Sequence, residues 1–181
     1  GVPSAWDIDL FAPLLAEAEQ ITGVAYGEHS EADVSMRIFA DHARATAFLI
    51  SDGVFPSNED RGYVLRRIIR RAVRHAWTLG VDEVVMPRLV EVVAEVMGDH
   101  YPDLHKNLDF IKDVVGREEE QFRHTLATGS QILDEAVADL KKGDPLTGSI
   151  AFQLHDTFGF PVEVTEEILS ERKLTLDREG F

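Results

Sequence analysis

A chain of 181 residues, 44% apolar and 28% charged, has material for one sizeable domain, or one domain with a small appendage, and is too apolar for disorder over most of its length. It has no cysteine, which excludes disulfides, zinc–thiolate sites and thiol catalysis, and no run approaches the roughly 18 apolar residues a membrane helix needs. The net charge of −15 disfavours nucleic acid as a partner, because phosphate repels an acidic surface.

Asp9 to Thr22 carries apolar residues at helical spacing (Leu10, Leu14, Ala18, Ile21) and stops at Gly23. A loop follows over 24–31. The spacing predicts a second helix over Val34 to Asp52, with Ile38, Ala45, Phe48 and Leu49 on one side and Gly53 as the stop. Phe55-Pro56-Ser57-Asn58-Glu59-Asp60 is a turn, and Ser57 or Asn58 is a candidate cap for the next helix.

The third helix, about Arg61 to Leu79, is the most informative. At about 100° per residue, Leu65, Ile68, Ile69, Ala72 and Ala76 gather on one side, and Arg66, Arg67, Arg70, Arg71 and Arg74 fan over the other. With Arg61, these are six of the 18 basic residues, in a segment with no acid, which leaves 12 against 33 acidic residues elsewhere. One short positive segment therefore sits on an acidic body. Guanidinium is a planar fork of donors that fits phosphate oxygens, so an arginine-only face suits a phosphate track. The plainer alternative is a solvated face pairing with acidic neighbours.

A fourth helix is expected from Val84 to Met97, starting late because of Pro87 and ending at Gly98. Leu104 to Lys142 reads as one long helix, or as two broken near Gly116 or Gly129, and Gly143-Asp144-Pro145 ends it. Ile150 to Asp156 is a short helix, Phe158-Gly159-Phe160-Pro161 forces a turn, and Thr165 to Arg172 is the last helix. Val162 to Val164 is the best strand candidate. The expected fold is mainly α, six to seven helices with one long one and little or no sheet.

Chemistry-bearing motifs are scarce. There is no His-Glu-x-x-His, and His100 and His105 do not share a helical face, so no metal site is expected. Phosphate-cradling glycine loops and a nucleophile elbow are absent too. His42 reads as a packed, hydrogen-bonded core residue. Gly1-Val2-Pro3-Ser4-Ala5 lacks the basic-then-apolar pattern of a signal peptide.

Three blocks carry a family resemblance. They are Arg37-Ile38-Phe39-Ala40-Asp41-His42 continuing through Ala47-Phe48-Leu49-Ile50-Ser51-Asp52-Gly53-Val54, then Pro56 to His75, then Phe152-Gln153-Leu154-His155-Asp156-Thr157-Phe158-Gly159-Phe160-Pro161-Val162-Glu163-Val164-Thr165. With the opening Asp9-Leu10-Phe11, and in this order, they resemble alanyl-tRNA synthetases across essentially all of 1–181. His155 and Phe158 depart from the pattern, standing where tyrosines are expected.

The resemblance implies the helical tRNA-recognition domain of that family, with the catalytic, editing and C-terminal domains lying outside this chain. It implies a partner, the acceptor stem of tRNA(Ala) with its G·U wobble pair, beside the catalytic and editing domains of the same chain. Neither DNA nor a membrane is an expected partner, and the expected location is cytoplasmic. Asn58 and Asp156 match the two side chains that read the pair in the family. Arg61, Arg66, Arg67, Arg70, Arg71 and Arg74 are then the candidates for the RNA backbone. No catalytic residue, cofactor or independent enzymatic activity is expected in this segment. ATP with magnesium, and zinc in the editing domain, are expected only of the full-length ligase.

The chemistry suits these assignments. An A-form stem shows base edges in a shallow minor groove, where the wobble guanine's amino group is a free donor. A carboxylate accepts from it, and an amide both donates and accepts. The arginines alone hold any stem without reading it. The alternative role is structural, with the helices packing the synthetase domains together and the arginine face meeting an acidic protein surface.

Overall fold

The computed structural model describes residues 4–181; Gly1, Val2 and Pro3, part of the segment read for a leader pattern, lie outside the described residues. The chain forms two compact units, Gly1–Phe122 and Arg123–Phe181. Among the described residues there are eight α-helices and one two-stranded sheet, so the fold is mainly α, as expected.

In the first unit α1 (Ala12–Thr22) has a proline in its first turn, where a missing N–H costs nothing, and ends at Gly23 with φ 68°. The core is built around α2 (Ser30–Ser51), which packs against α1, α3 (Asp60–Thr78), α4 (Met86–Met97) and the short α5 (Pro102–Lys106). The buried stripe of α2 is Met36, Phe39, Ala40, Ala43, Ala47 and Ile50. It is not the predicted Ile38, Ala45, Phe48 and Leu49, which are only partly covered. Both sets are helical in period; in the buried one Ala40, Ala43 and Ala47 let neighbouring helices approach closely while Met36, Phe39 and Ile50 fill the space between them.

On α3 the predicted core residues Leu65, Ile69, Ala72 and Ala76 are fully buried, joined by Val73, while Ile68 is half-covered. The helix starts without the expected cap. Its N-cap is Glu59, whose side chain makes no capping hydrogen bond; Ser57 Oγ donates to the Glu59 carbonyl at 2.8 Å and accepts from the Glu59 N–H at 3.4 Å.

α6 (Leu108–Val137) is one unbroken helix, giving residues 108–122 to the first unit and 123–137 to the second. Neither Gly116 nor Gly129 breaks it. In the second unit a Cβ at Gly129 would lie 2.1 Å from the ring of Phe160, which is fully buried. That glycine is a landing place for an aromatic ring.

The second unit also holds α7 (Gly148–Phe158) and α8 (Val162–Glu171). Gly159 ends α7 at φ 66°; its N–H donates to the His155 carbonyl at 3.2 Å and Phe160 N–H to the Leu154 carbonyl at 2.9 Å, so a left-handed glycine closes the last turn. Pro161 is the N-cap of α8. Val162 to Val164, the strand candidate, is therefore the first turn of a helix. The strands are β1 (Pro145–Leu146) and β2 (Thr175–Leu176), paired in parallel with Pro145 opposite Thr175. At two residues each they are too short to leave an alternating pattern.

Candidate nucleic-acid interface

The loop between α2 and α3 carries the first expected reader. Gly53, at φ 84°, turns the chain out of α2, and Val54 N–H closes the turn on the Leu49 carbonyl at 2.9 Å. Phe55 then packs edge-on against Phe110, ring centres 5.7 Å apart, both about half exposed. The loop lies directly on α3. A Cβ at Gly62 would meet Ser57 Oγ at 2.1 Å and the Phe55 carbonyl oxygen at 2.4 Å. Only glycine admits this approach. Asp60 enters the helix at φ 49°, a left-handed conformation that aspartate tolerates.

Asn58 sits exposed at the tip, and its Oδ1 accepts a hydrogen bond from Arg66 Nη1. A guanidinium only donates, so the amide oxygen must be the atom that faces it. Arg66 Nε donates in turn to Glu118 of α6 at 3.2 Å, and Arg70 Nε donates to the same carboxylate at 2.8 Å. The Glu118 side chain is 6% exposed, and the Arg70 guanidinium also lies over the Phe122 ring, 4.9 Å from its centre. Asn58, Arg66, Arg70 and Glu118 thus form one connected group.

The other arginines divide by exposure. Arg61, Arg67 and Arg71 are exposed, with the Arg67 guanidinium 5.7 Å from the centre of the Tyr63 ring. Arg74 departs from the predicted open face: it is 3% exposed, because its position falls among Val73 and Ala76 on the covered side of α3. The face open to a ligand is narrower than periodicity alone suggests.

Beside Arg71, an open cleft of about 490 Å³ is lined by Trp6, Val34, Arg37, Ile38 and His42. Burial lowers the pKa of His42 from its ordinary 6.5; Asp41 opposes this through a hydrogen bond and its charge, and Arg71 reinforces it. His42 Nδ1 stands 3.1 Å from Asp41 Oδ2, which agrees with the packed, hydrogen-bonded role expected of it.

Asp156 belongs to the second unit. It is exposed, in the last turn of α7. A carboxylate there faces the negative end of the helix dipole, a local cost of a few tenths of a kcal/mol. The turn itself is made by Gly159, so Asp156 is not its turn former. Phe152 and His155 on the same helix flank the Phe181 ring, centres 6.1 and 5.9 Å away.

Glu118 went unnoticed in the sequence, although a signal was present. Val115, Glu118, Glu119, Phe122 and Leu126 fall at helical spacing and are all buried, so the two acids interrupt an apolar stripe. Among the described residues no group of three His, Cys, Asp or Glu could hold a metal ion. None of the described helices is long and apolar enough to cross a membrane.

The whole chain, residues 1–181, matches the family model described as tRNA synthetases class II (A). It is 49% identical over 181 residues to an alanine–tRNA ligase of Acidithiobacillus ferridurans, covering 100% of this chain and 21% of that protein. It is 48% identical to the alanine–tRNA ligase of Geobacillus kaustophilus and 47% identical to that of Bacillus subtilis, covering 99% of this chain in each case and 20% and 21% of those proteins. The chain thus spans about a fifth of the length of the curated relatives it matches. Matched from end to end, and with relatives that share nearly half its residues, the chain belongs to the class II (A) tRNA synthetases.

Proposed function

We propose that this chain docks the acceptor stem of tRNA(Ala) in the service of alanine ligation, and that it selects the stem by its G·U wobble pair. The carrying observation is Asn58, exposed on a glycine-seated loop and held by Arg66 at the start of the arginine helix. Arg61, Arg67 and Arg71 supply exposed cations for phosphate. Arg66 and Arg70 add charge from fixed positions, and Arg74 contributes only through the field of the helix. Asp156 is the carboxylate that accepts from the free amino group of the wobble guanine. In this reading ATP with magnesium, alanine and the ligation chemistry belong to other parts of a longer cytoplasmic enzyme, as does any editing zinc. This segment binds RNA and catalyses nothing by itself.

The test is binding of the 181-residue protein to an acceptor-stem hairpin carrying G·U, and to one with G·C in its place, at two salt concentrations. A preference for G·U is expected, corresponding to about 1–3 kcal/mol for a well-made base contact, and it is lost in Asn58→Ala and in Asp156→Ala. Equal, salt-sensitive binding to both hairpins would mean that the arginines merely hold RNA.

One observation favours a structural reading. Glu118 already satisfies Arg66 and Arg70, and Arg74 is buried, so half of the arginine set serves the fold. On that reading the exposed Phe55, Val64 and Phe110 meet another domain, and neither hairpin binds at low salt.

A further inference from the structure

Whatever Asn58 reads, its amide must be held one way round. A free asparagine on a loop tip rotates, and a flipped amide exchanges donor for acceptor at nearly the same place. Here the choice is made by the partner. Arg66 has only donors to give, so it takes the Oδ1 side. Arg66 is itself half-buried at 21% exposure and fixed through Nε by Glu118, whose side chain is 6% exposed. A buried carboxylate with two cationic neighbours is a stiff anchor, because leaving them would strand its charge out of water.

We infer that Glu118 is a positioning residue for Asn58: acting through Arg66, it pins the amide oxygen and leaves the Nδ2–H donors as the part of Asn58 offered to RNA. This rests on Asn58 being a base reader. Glu118 lies 60 positions along the chain from Asn58 and touches no RNA in this scheme. Arg70 shares the carboxylate at 2.8 Å, which holds Glu118 in place while Arg66 serves the loop. Asn58 is therefore a donor, and Asp156 an acceptor. The two readers divide the work rather than duplicate it.

The test uses the 181-residue protein labelled with nitrogen-15. The side-chain amide resonances of Asn58 are identified by their loss in Asn58→Ala, and recorded without RNA in Glu118→Ala, Glu118→Gln and Arg66→Leu. Hairpin binding with G·U and with G·C is measured for the same proteins. Glu118→Ala and Arg66→Leu are expected to move the Asn58 resonances to those of a free asparagine. They should also lower the G·U over G·C ratio by about fivefold or more, while Glu118→Gln, which keeps an accepting oxygen, restores part of both. Arg66→Leu guards against failure of Glu118→Ala to fold, since residue 66 is partly exposed. Unmoved Asn58 resonances in Arg66→Leu and Glu118→Ala overturn the inference, and so does an unchanged ratio in a protein whose resonances have moved. If the unaltered protein binds both hairpins equally while its variants still shift Asn58, the positioning stands and the base-reading role of Asn58 falls.

Discussion

Glu119 accepts hydrogen bonds from the backbone amides of Val85, at 3.0 Å, and Met86, at 2.7 Å. The carboxylate is fully buried and closes the amino end of α4, whose own N-cap residue, Val85, offers no side-chain bond. A helix start buried in protein leaves orphan amides that something must satisfy. Here the partner comes from another helix, and its negative charge meets the positive end of the α4 dipole. Glu119→Ala should therefore cost about 3 kcal/mol, the range for stranding buried polar groups. Glu119→Gln, with one accepting oxygen, should cost less. Chemical denaturation of the three proteins measures both; an Ala variant as stable as the parent would show that water replaces the carboxylate.

The same division between fold and ligand separates the arginines experimentally. Arg71 is exposed, whereas Arg70 shares the buried Glu118 carboxylate. Arg71→Ala should leave stability within about 0.5 kcal/mol while weakening RNA binding and reducing its salt slope by about 1. Arg70→Glu puts a second carboxylate against Glu118, and should lose about 3 kcal/mol of stability before any RNA is added. Loss of binding in Arg70→Glu therefore says little about phosphate contact. Thermal denaturation beside a salt titration of binding distinguishes the two effects.

His42 sets a pH dependence. Its folded pKa lies below the ordinary 6.5, chiefly because burial disfavours the imidazolium; Asp41 opposes that shift and Arg71 adds to it. The unfolded chain therefore binds this proton more readily, so the stability contributed by neutral His42 is complete above pH 6.5 and is lost as pH falls through the folded pKa. His42→Gln removes the titration. The difference in Tm between parent and variant should shift in favour of the variant on going from about pH 7 to about pH 5, the carboxylates common to both cancelling. A difference that stays flat with pH would mean that His42 does not set this slope.

The helices were legible in the sequence because their apolar periods and glycine stops are local, and six of the eight begin or end within a few residues of the expected places. What the pattern could not settle was rotation and partnership. The stripe of α2 runs from Met36 and Phe39 through Ala43 to Ile50, and Arg74 falls on the covered side of α3, because a helix face is chosen by what packs on it. Gly129 reads as a breaker in one dimension, and is a seat for Phe160 in three. Asn58 and the arginine run were legible as a motif. The anchor that holds them, Glu118, lies on α6 far along the chain, and only folding brings it to Arg66 and Arg70.

Gly62 connects the loop's geometry with its proposed use. A methyl group there lies 2.1 Å from Ser57 Oγ and 2.4 Å from the Phe55 carbonyl oxygen. Alanine favours an α-helix over glycine by about 1 kcal/mol, whereas overpacking costs about 1–3 kcal/mol. The hydroxyl of Ser57 can rotate away, but the Phe55 carbonyl is backbone and can yield only if the loop shifts. Gly62→Ala should therefore be net destabilising and should move Asn58 off Arg66, reducing the preference for a G·U hairpin while the exposed Arg61 and Arg71 still hold the stem. Adding Ser57→Ala removes the hydroxyl contact but leaves the residue 57 Cβ at 2.9 Å and the Phe55 carbonyl oxygen, so it should restore only part of the stability and little of the selectivity. Tm and the two hairpin affinities, measured on both variants, decide the point. A Gly62→Ala protein that is more stable and equally selective would show that the loop does not need this seat.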